Sequence, residues 1–184
     1  LLAAFGLIGL RPVQAQSTHT ASRRADLQVG VGYSRAFSDY SPFGSQYQFN
    51  GLALYTSLDL SNHLGAEFDF HNMPSSGTQQ AGVYERTYEW GLRYHIQRKR
   101  LLPYARVMYG RGVFNFPNNG ANLAFNMLVV GGGSDVILTR RINLRADYEY
   151  QQWFGFPPHG LTPQIITIGV AYHFPGDLAH GRHY

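Results

Sequence analysis

From about residue 26 to residue 174, apolar and polar side chains alternate with a period of two, segment after segment. No stretch sustains the 3.6-residue stripe of an amphipathic helix. Strict alternation puts one set of side chains on each face of a strand, so the chain is committed to a sheet whose two faces meet different surroundings. We expect eight such segments. Strand one, Asp26–Phe37, sets Leu27, Val29, Val31 and Tyr33 against Gln28, Gly30, Gly32 and Ser34. Strand two, Asn50–Leu60, and strand three, Leu64–His71, repeat the pattern, with Glu67, Asp69 and His71 on the polar face of the third. Strand four, Tyr84–Gln97, sets Tyr88, Trp90, Leu92 and Tyr94 against Glu85, Glu89, Arg93 and His95.

Strand five, Leu101–Phe116, carries Arg106 on its polar face. Strand seven, Ile142–Trp153, carries Arg145, Asp147 and Glu149. Strand eight, Pro163–Phe174, sets Ile166, Ile168, Val170, Tyr172 and Phe174 against Thr167, Gly169, Ala171 and His173. Strand six, Asn122–Leu138, is apolar on both faces, so its period leaves its register open. Gly131–Gly133 within it predict a bend or bulge. The connections alternate. Ser61–His63, Arg98–Arg100 and Thr139–Arg141 are short, whereas Ser38–Phe49, Asn72–Val83, Pro117–Ala121 and Phe154–Thr162 are taken as long loops. An even number of strands joined by short periplasmic turns and longer extracellular loops is the pattern of a bacterial transmembrane barrel. Most of the segments reach the roughly 9–11 residues that a tilted strand needs to cross a bilayer.

An eight-stranded soluble cup, apolar within and polar without, shares this periodicity. The contents of the faces favour the membrane. Charged residues are 14% of the chain, against roughly 25% in an ordinary soluble domain, and there are 13 Tyr and 12 Phe. Glycine and charges of both signs suit the inside of a narrow barrel, where they can pair. Leu, Val, Ile and aromatic rings suit lipid. Tyr33, Phe37, Tyr84, Tyr88, Phe114, Phe116 and Trp153–Phe156 lie toward the loop ends, and Tyr94, Tyr172 and Phe174 toward the turn ends. We expect these rings in interfacial girdles.

The ends of the chain read differently. Leu1–Leu10 is an apolar run of signal-peptide length, and Val13 and Ala15 fit cleavage after Ala15. The expected division is therefore a signal segment at 1–15, a flexible leader at 16–25, the barrel at 26–174 and a periplasmic tail at 175–184. Cysteine is absent, which excludes a disulfide framework and thiolate metal sites. The net charge of +4 has no continuous basic face behind it, so nucleic acid is not an expected partner.

The final strand, IITIGVAYHF, and the segment INLRADYEYQQW (Ile142–Trp153) carry a family resemblance. With the strand number and loop alternation, they make residues 26–174 resemble the small outer-membrane barrels: the transmembrane domain of outer-membrane protein A, the X-type barrels and the opacity-type surface proteins. The resemblance implies an assembly signal at Ile168, Val170, Tyr172 and Phe174, read by the barrel-assembly machinery. It departs in two respects: Pro175–Tyr184 follow the terminal aromatic, and cell-wall anchoring by a peptidoglycan-binding domain is not an expectation here. It also implies that the inward charges, Glu67, Asp69, Glu89, Arg93, Arg106, Arg145, Asp147 and Glu149, form a salt-bridged network in the lumen.

No catalytic, metal or cofactor site is expected. The one tempting pair is His71 with Ser75 or Ser76 at the loop end of strand three, with Glu85 across the loop. It lacks the His-x-Ser-Asn stretch of lipid A deacylase barrels. His180 and His183 offer too few ligands for a structural metal. The expected function is structural or surface-displaying, in contact with outer-membrane lipid and with an extracellular partner reached through the loops. The alternatives are a narrow small-solute pore and a lipid A-modifying enzyme. The basic turns Arg98–Arg100 and Arg140–Arg141 are candidates for contact with headgroup phosphates.

Overall fold

A computed structural model describes residues 26–39, 47–75, 82–116, 121–157 and 159–174. The expected signal segment, leader and tail, most of the first two long loops, and Ser76 lie outside the described residues. Eight strands run in chain order: β1 (Asp26–Ser38), β2 (Tyr47–Asp59), β3 (Leu64–Pro74), β4 (Tyr84–His95), β5 (Leu101–Phe116), β6 (Ala121–Ile137), β7 (Ile142–Trp153) and β8 (Gln164–Phe174). Each pairs antiparallel with its neighbours. β1 also pairs with β8, from Leu27↔Phe174 to Phe37↔Gln164, so the sheet is a closed barrel. Closure leaves no edge of unpaired backbone groups.

Three expectations are corrected. First, β3 runs on to Pro74, because Asn72, Met73 and Pro74 continue the ladder against Arg86, Glu85 and Tyr84. Second, Gly131–Gly133 neither bulge nor break β6, whose ladders run without interruption from Phe116↔Ala121 to Leu101↔Val136 and from Met127↔Trp153 to Ile137↔Asn143. Third, the connection from β5 to β6 is not long. Only residues 117–120 separate these strands, which are the two longest of the barrel at 16 and 17 residues. The sequence between strands five and six goes into a tall hairpin rather than a loop.

The glycines of β6 serve the lumen. Gly131 faces Arg106 across one ladder and Glu149 across the other, and Gly133 likewise lies between Tyr104 and Asp147. A Cβ on Gly133 would stand 2.4 Å from the Ala146 carbonyl oxygen and 2.5 Å from the Asp147 side chain. The register that alternation leaves open is thereby set: Met127, Val129, Gly131, Gly133 and Asp135 point inward, while Leu128 and Val130 are exposed on the outer face.

Outside, the strands form an apolar band closed at the loop end by a polar ring. On β8 the band is Ile166, Ile168, Val170, Tyr172 and Phe174, and on β4 it is Tyr88, Trp90, Leu92 and Tyr94, all exposed. Above it every strand sets a polar residue outward: Arg35, Asn50, Asn72, Arg86, Arg111, Asn126, Gln152 and Gln164. Neighbouring members share ladder rungs in Arg35↔Asn50, Asn72↔Arg86 and Arg111↔Asn126, and the stagger of the strands joins the rest.

Some rings expected in the girdle turn inward instead. Phe114, Trp153 and Phe156 are buried with Phe49, Met73, Met108, Met127 and Leu161 in an apolar cluster inside the loop end of the barrel. Phe49 and Phe156 meet Phe114 edge-on, at 5.4 and 6.0 Å between ring centres. Trp153 fits because Gly112 has no side chain, since a Cβ there would lie 2.2 Å from the indole ring. Gly112→Ala is expected to lower stability by about 1–3 kcal/mol through overpacking. The urea midpoint of the folded protein in lipid vesicles would measure this, and an unchanged midpoint would contradict the packing described.

Candidate functional site

The chemistry of this chain is concentrated in the lumen. Alternation aims the odd-numbered residues of β3, β4, β6 and β7 and the even-numbered residues of β5 inward. The tight curvature of an eight-stranded barrel therefore brings their charges together. Glu67, Asp69, Glu89, Arg93, Arg106, Arg145, Asp147 and Glu149 are all buried there.

Three guanidiniums organise the middle of the lumen. Arg106 on β5 donates from Nη1 to Glu67 and Asp69 on β3, and from Nη2 to Glu149 on β7, with Asp147 Oδ2 3.1 Å away. Arg145 on β7 holds Asp135 on β6 through two bonds, Nε to Oδ1 at 2.8 Å and Nη2 to Oδ2 at 3.1 Å. Its Nη1 donates to Glu67 at 2.8 Å. Arg93 on β4 donates to the same Asp135 at 3.0 Å and to Glu67 at 3.5 Å. Asp135 is the member of this group that alternation alone did not find, because it sits at the end of the one strand without a polar face.

Two tyrosines complete the assembly. The Tyr104 ring lies beneath all three guanidiniums, at 4.7 Å from Arg93, 5.1 Å from Arg145 and 5.9 Å from Arg106, and its hydroxyl donates to Asp147 at 2.9 Å. Tyr55 lies 4.1 Å from the Arg145 guanidinium. From β2 it lies along the inner wall over the adjacent β1 and the next strand, β8, where a Cβ on Gly30 would stand 2.2 Å from its ring and one on Gly169 2.9 Å. Buried guanidiniums thus have carboxylates as hydrogen-bond acceptors and aromatic rings against them, the two contacts that stabilise this cation out of water.

Toward the loop end lies a second polar layer. His71 is not at the rim beside Ser75, where the shorter strand three would put it. It lies inside the barrel with Nδ1 3.0 Å from Ser34 Oγ, which also shares a 2.7 Å hydrogen bond with Thr167. His71 Nε2 is 3.3 Å from Glu149 and 4.0 Å from Glu89. Thr87 and Gln151 donate to Glu89 at 2.7 and 2.8 Å, and Trp153 Nε1 donates to Gln151 at 2.9 Å, which ties the layer to the apolar cluster above it. Glu85 is buried at the upper edge of this layer, beside Met73 and Phe114 on the neighbouring strands.

Ligand atoms of Asp69, His71 and Glu149 lie within 4.8 Å of one another, a spacing that suits a metal ion. Both carboxylates are bonded to Arg106, so a guanidinium already supplies the positive charge that a metal would bring. At the turn end the lumen opens into a cavity of about 300 Å³, lined by Gln28, Asp59, His95, Arg140, Asn143 and His173. His173 is paired with Asp26 there.

Arg106 is the brace of the lumen. Removing one partner of a buried charge network leaves the others uncompensated, at a cost of about 3–5 kcal/mol. Arg106→Met is expected to lower the free energy of unfolding, measured by urea titration in vesicles, by that amount. A loss below about 1 kcal/mol, the worth of an exposed ion pair, would contradict the network.

Residues 1–174 match the outer membrane protein beta-barrel domain family. No curated protein matches the sequence. Among solved structures, the barrel is similar to Neisserial surface protein A, at 16% identity with a TM-score of 0.63, covering 80% of this chain and 97% of that one. It is similar to the outer membrane protein OprG from Pseudomonas aeruginosa at 13% identity and a TM-score of 0.60, covering 82% and 96%. It is also similar to Ail, the attachment invasion locus protein of Yersinia pestis, at 15% identity and a TM-score of 0.58, covering 82% and 99%. Identities this low speak to the fold alone, an eight-stranded antiparallel barrel. The closed sheet, the apolar band and the family match agree: the chain belongs to the outer membrane protein beta-barrel domain family, and it is a barrel of the bacterial outer membrane.

Proposed function

We propose that this protein is a closed barrel with a structural and surface-displaying role, its lumen plugged by charged side chains and its loops turned outward. The observation that carries this reading is the cross-bracing by Arg106, which bonds carboxylates on opposite strands of the wall. Tyr55, Tyr104 and the three guanidiniums occupy the section that a solute would have to cross, and the apolar cluster around Phe114 and Trp153 covers them at the loop end. An eight-stranded barrel has an interior just wide enough for side chains, so these groups suffice to fill it.

The same geometry weighs against an enzyme. Ser34, His71 and Glu149 align as hydroxyl, imidazole and carboxylate, but all three are buried beneath the apolar cluster. A nucleophile needs a path for its substrate and donors for the developing oxyanion. The Ser34 hydroxyl is instead shared with Thr167 inside the wall.

On this reading, the outward residues Ile168, Val170, Tyr172 and Phe174 of β8 serve as the assembly signal, and the loop ends meet an extracellular partner. Planar-bilayer recording of the refolded full chain tests the central part. A plugged barrel gives no unitary conductance steps at moderate voltage. Regular steps that vary with the size of the permeant ion would favour the narrow pore. Such a pore would prefer cations, since carboxylates outnumber arginines along the lumen.

A further inference from the structure

Charge in this barrel is separated radially. Of the carboxylates in the described residues, only Asp39 lies outside the lumen, and Thr162 holds it through two hydrogen bonds of 2.8 and 2.7 Å. Arg93, Arg106 and Arg145 face in. Arg35, Arg86 and Arg111 face out at the loop end, in the polar ring that closes the apolar band. No ion pair joins these three to a described carboxylate. An arginine on the outer face of such a barrel costs little near the interface and progressively more toward the bilayer centre. The ring therefore marks the headgroup level of the outer leaflet.

Arg86 and Arg111 are the pair that needs a ligand. Arg86 faces Val113 across the β4–β5 ladder and Arg111 faces Tyr88, so the two arginines are diagonal neighbours on one face. At roughly 7–8 Å, such neighbours are within reach of long side chains, and like charges placed this way repel. Arg86 is also held in position: its Nε donates to Asn72 at 3.1 Å and its guanidinium lies 4.9 Å from the Tyr84 ring centre. That leaves its terminal amino groups for a ligand. Among the described residues Arg111, which is exposed, has no hydrogen-bond or ion-pair partner. Of the remaining members of the ring, Arg35 donates from Nη2 to Gln48 at 2.7 Å, and the others are amides, which bond neutral hydroxyl and amide groups.

We propose that the Arg86–Arg111 pair, with Asn72 and Asn126 beside it, binds the phosphorylated sugar headgroup of the outer-leaflet glycolipid. Two guanidiniums meet a phosphate through paired N–H donors. The flanking amides suit the sugar hydroxyls and amides of such a headgroup better than the small headgroup of a phospholipid. The ring lies at the loop end, the face that barrels of this kind turn to the exterior, where the glycolipid resides. The basic turns Arg98–Arg100 and Arg140–Arg141 lie at the opposite end and make a built-in control.

The test uses the full chain refolded in detergent micelles, with native mass spectrometry during titration with diphosphorylated lipid A, phosphatidylglycerol or phosphatidylcholine. The wild type is expected to retain lipid A in preference to both phospholipids. R86Q/R111Q is expected to lose on the order of tenfold in lipid A affinity, while R98Q/R140Q stays close to the wild type. A gel shift between boiled and unboiled samples verifies that each variant is folded. If R86Q/R111Q does not fold, R111Q alone takes its place, with a smaller loss expected. Unchanged binding by R86Q/R111Q, or an equal loss in R98Q/R140Q, would overturn the site. Equal retention of phosphatidylglycerol would overturn the glycolipid assignment.

Discussion

Lipid offers no hydrogen bonds, and this constraint governs the molecule. Every backbone amide and carbonyl at membrane depth must find its partner in the sheet, so the sheet closes on itself. With eight strands closure leaves a lumen only as wide as side chains. What the inward positions carry then decides whether the barrel is solid. Here they carry three arginines, a surplus of carboxylates and two tyrosines, with glycines opposite the largest of them. Gly30 and Gly169 admit Tyr55, Gly131 and Gly133 admit the Arg106 and Asp147 layer, and Gly112 admits Trp153. The abundance of glycine is the complement of the bulky groups that cross the lumen.

The lumen is built in levels. The turn end is a polar mouth, the middle an ionic and aromatic brace, and above it lie hydrogen-bonded His71, Glu89 and Gln151 beneath an apolar cap. Each level uses the interaction its surroundings strengthen. Guanidinium–carboxylate bonds sit where water is excluded, and carbon contacts sit where the barrel meets the loops. Among the described residues the carboxylates are gathered inside with three arginines, apart from Asp39, while three further arginines face out toward the headgroup zone.

Much of this was legible in the sequence, because alternation in a closed sheet fixes which way each side chain points. Parity alone placed Glu67, Arg93, Arg106, Arg145 and Glu149 together inside. It fell short where parity was hidden or not followed through. Strand six has apolar residues on both faces and glycines at its centre, so neither its register nor the inward Asp135 could be read without the partner strands. His71 was placed at a rim because the alternation of strand three fades at Asn72, whereas three further ladder residues carry the strand on and set His71 deep inside. Phe114 and Trp153 share the parity of Arg106 and Arg145, which already turned them inward. Their nearness to the loop ends suggested a girdle instead. The tall β5–β6 hairpin was beyond reach, since residues flanking a short turn and residues of a ragged loop look alike until their pairing is known.

The chain has two tryptophans, and they lie on opposite sides of the wall: Trp90 is 62% exposed in the apolar band, and Trp153 is fully buried in the lumen. Fluorescence quenching of the single-tryptophan variants W153F and W90F, refolded in vesicles of lipid brominated along its acyl chains, tests the orientation of the whole structure at once. Strong quenching of Trp90 by the brominated lipid is expected, with little effect of aqueous acrylamide on either residue and none of the lipid on Trp153. Quenching of Trp90 by acrylamide but not by lipid, or of Trp153 by lipid, would contradict a barrel that turns this face to the membrane.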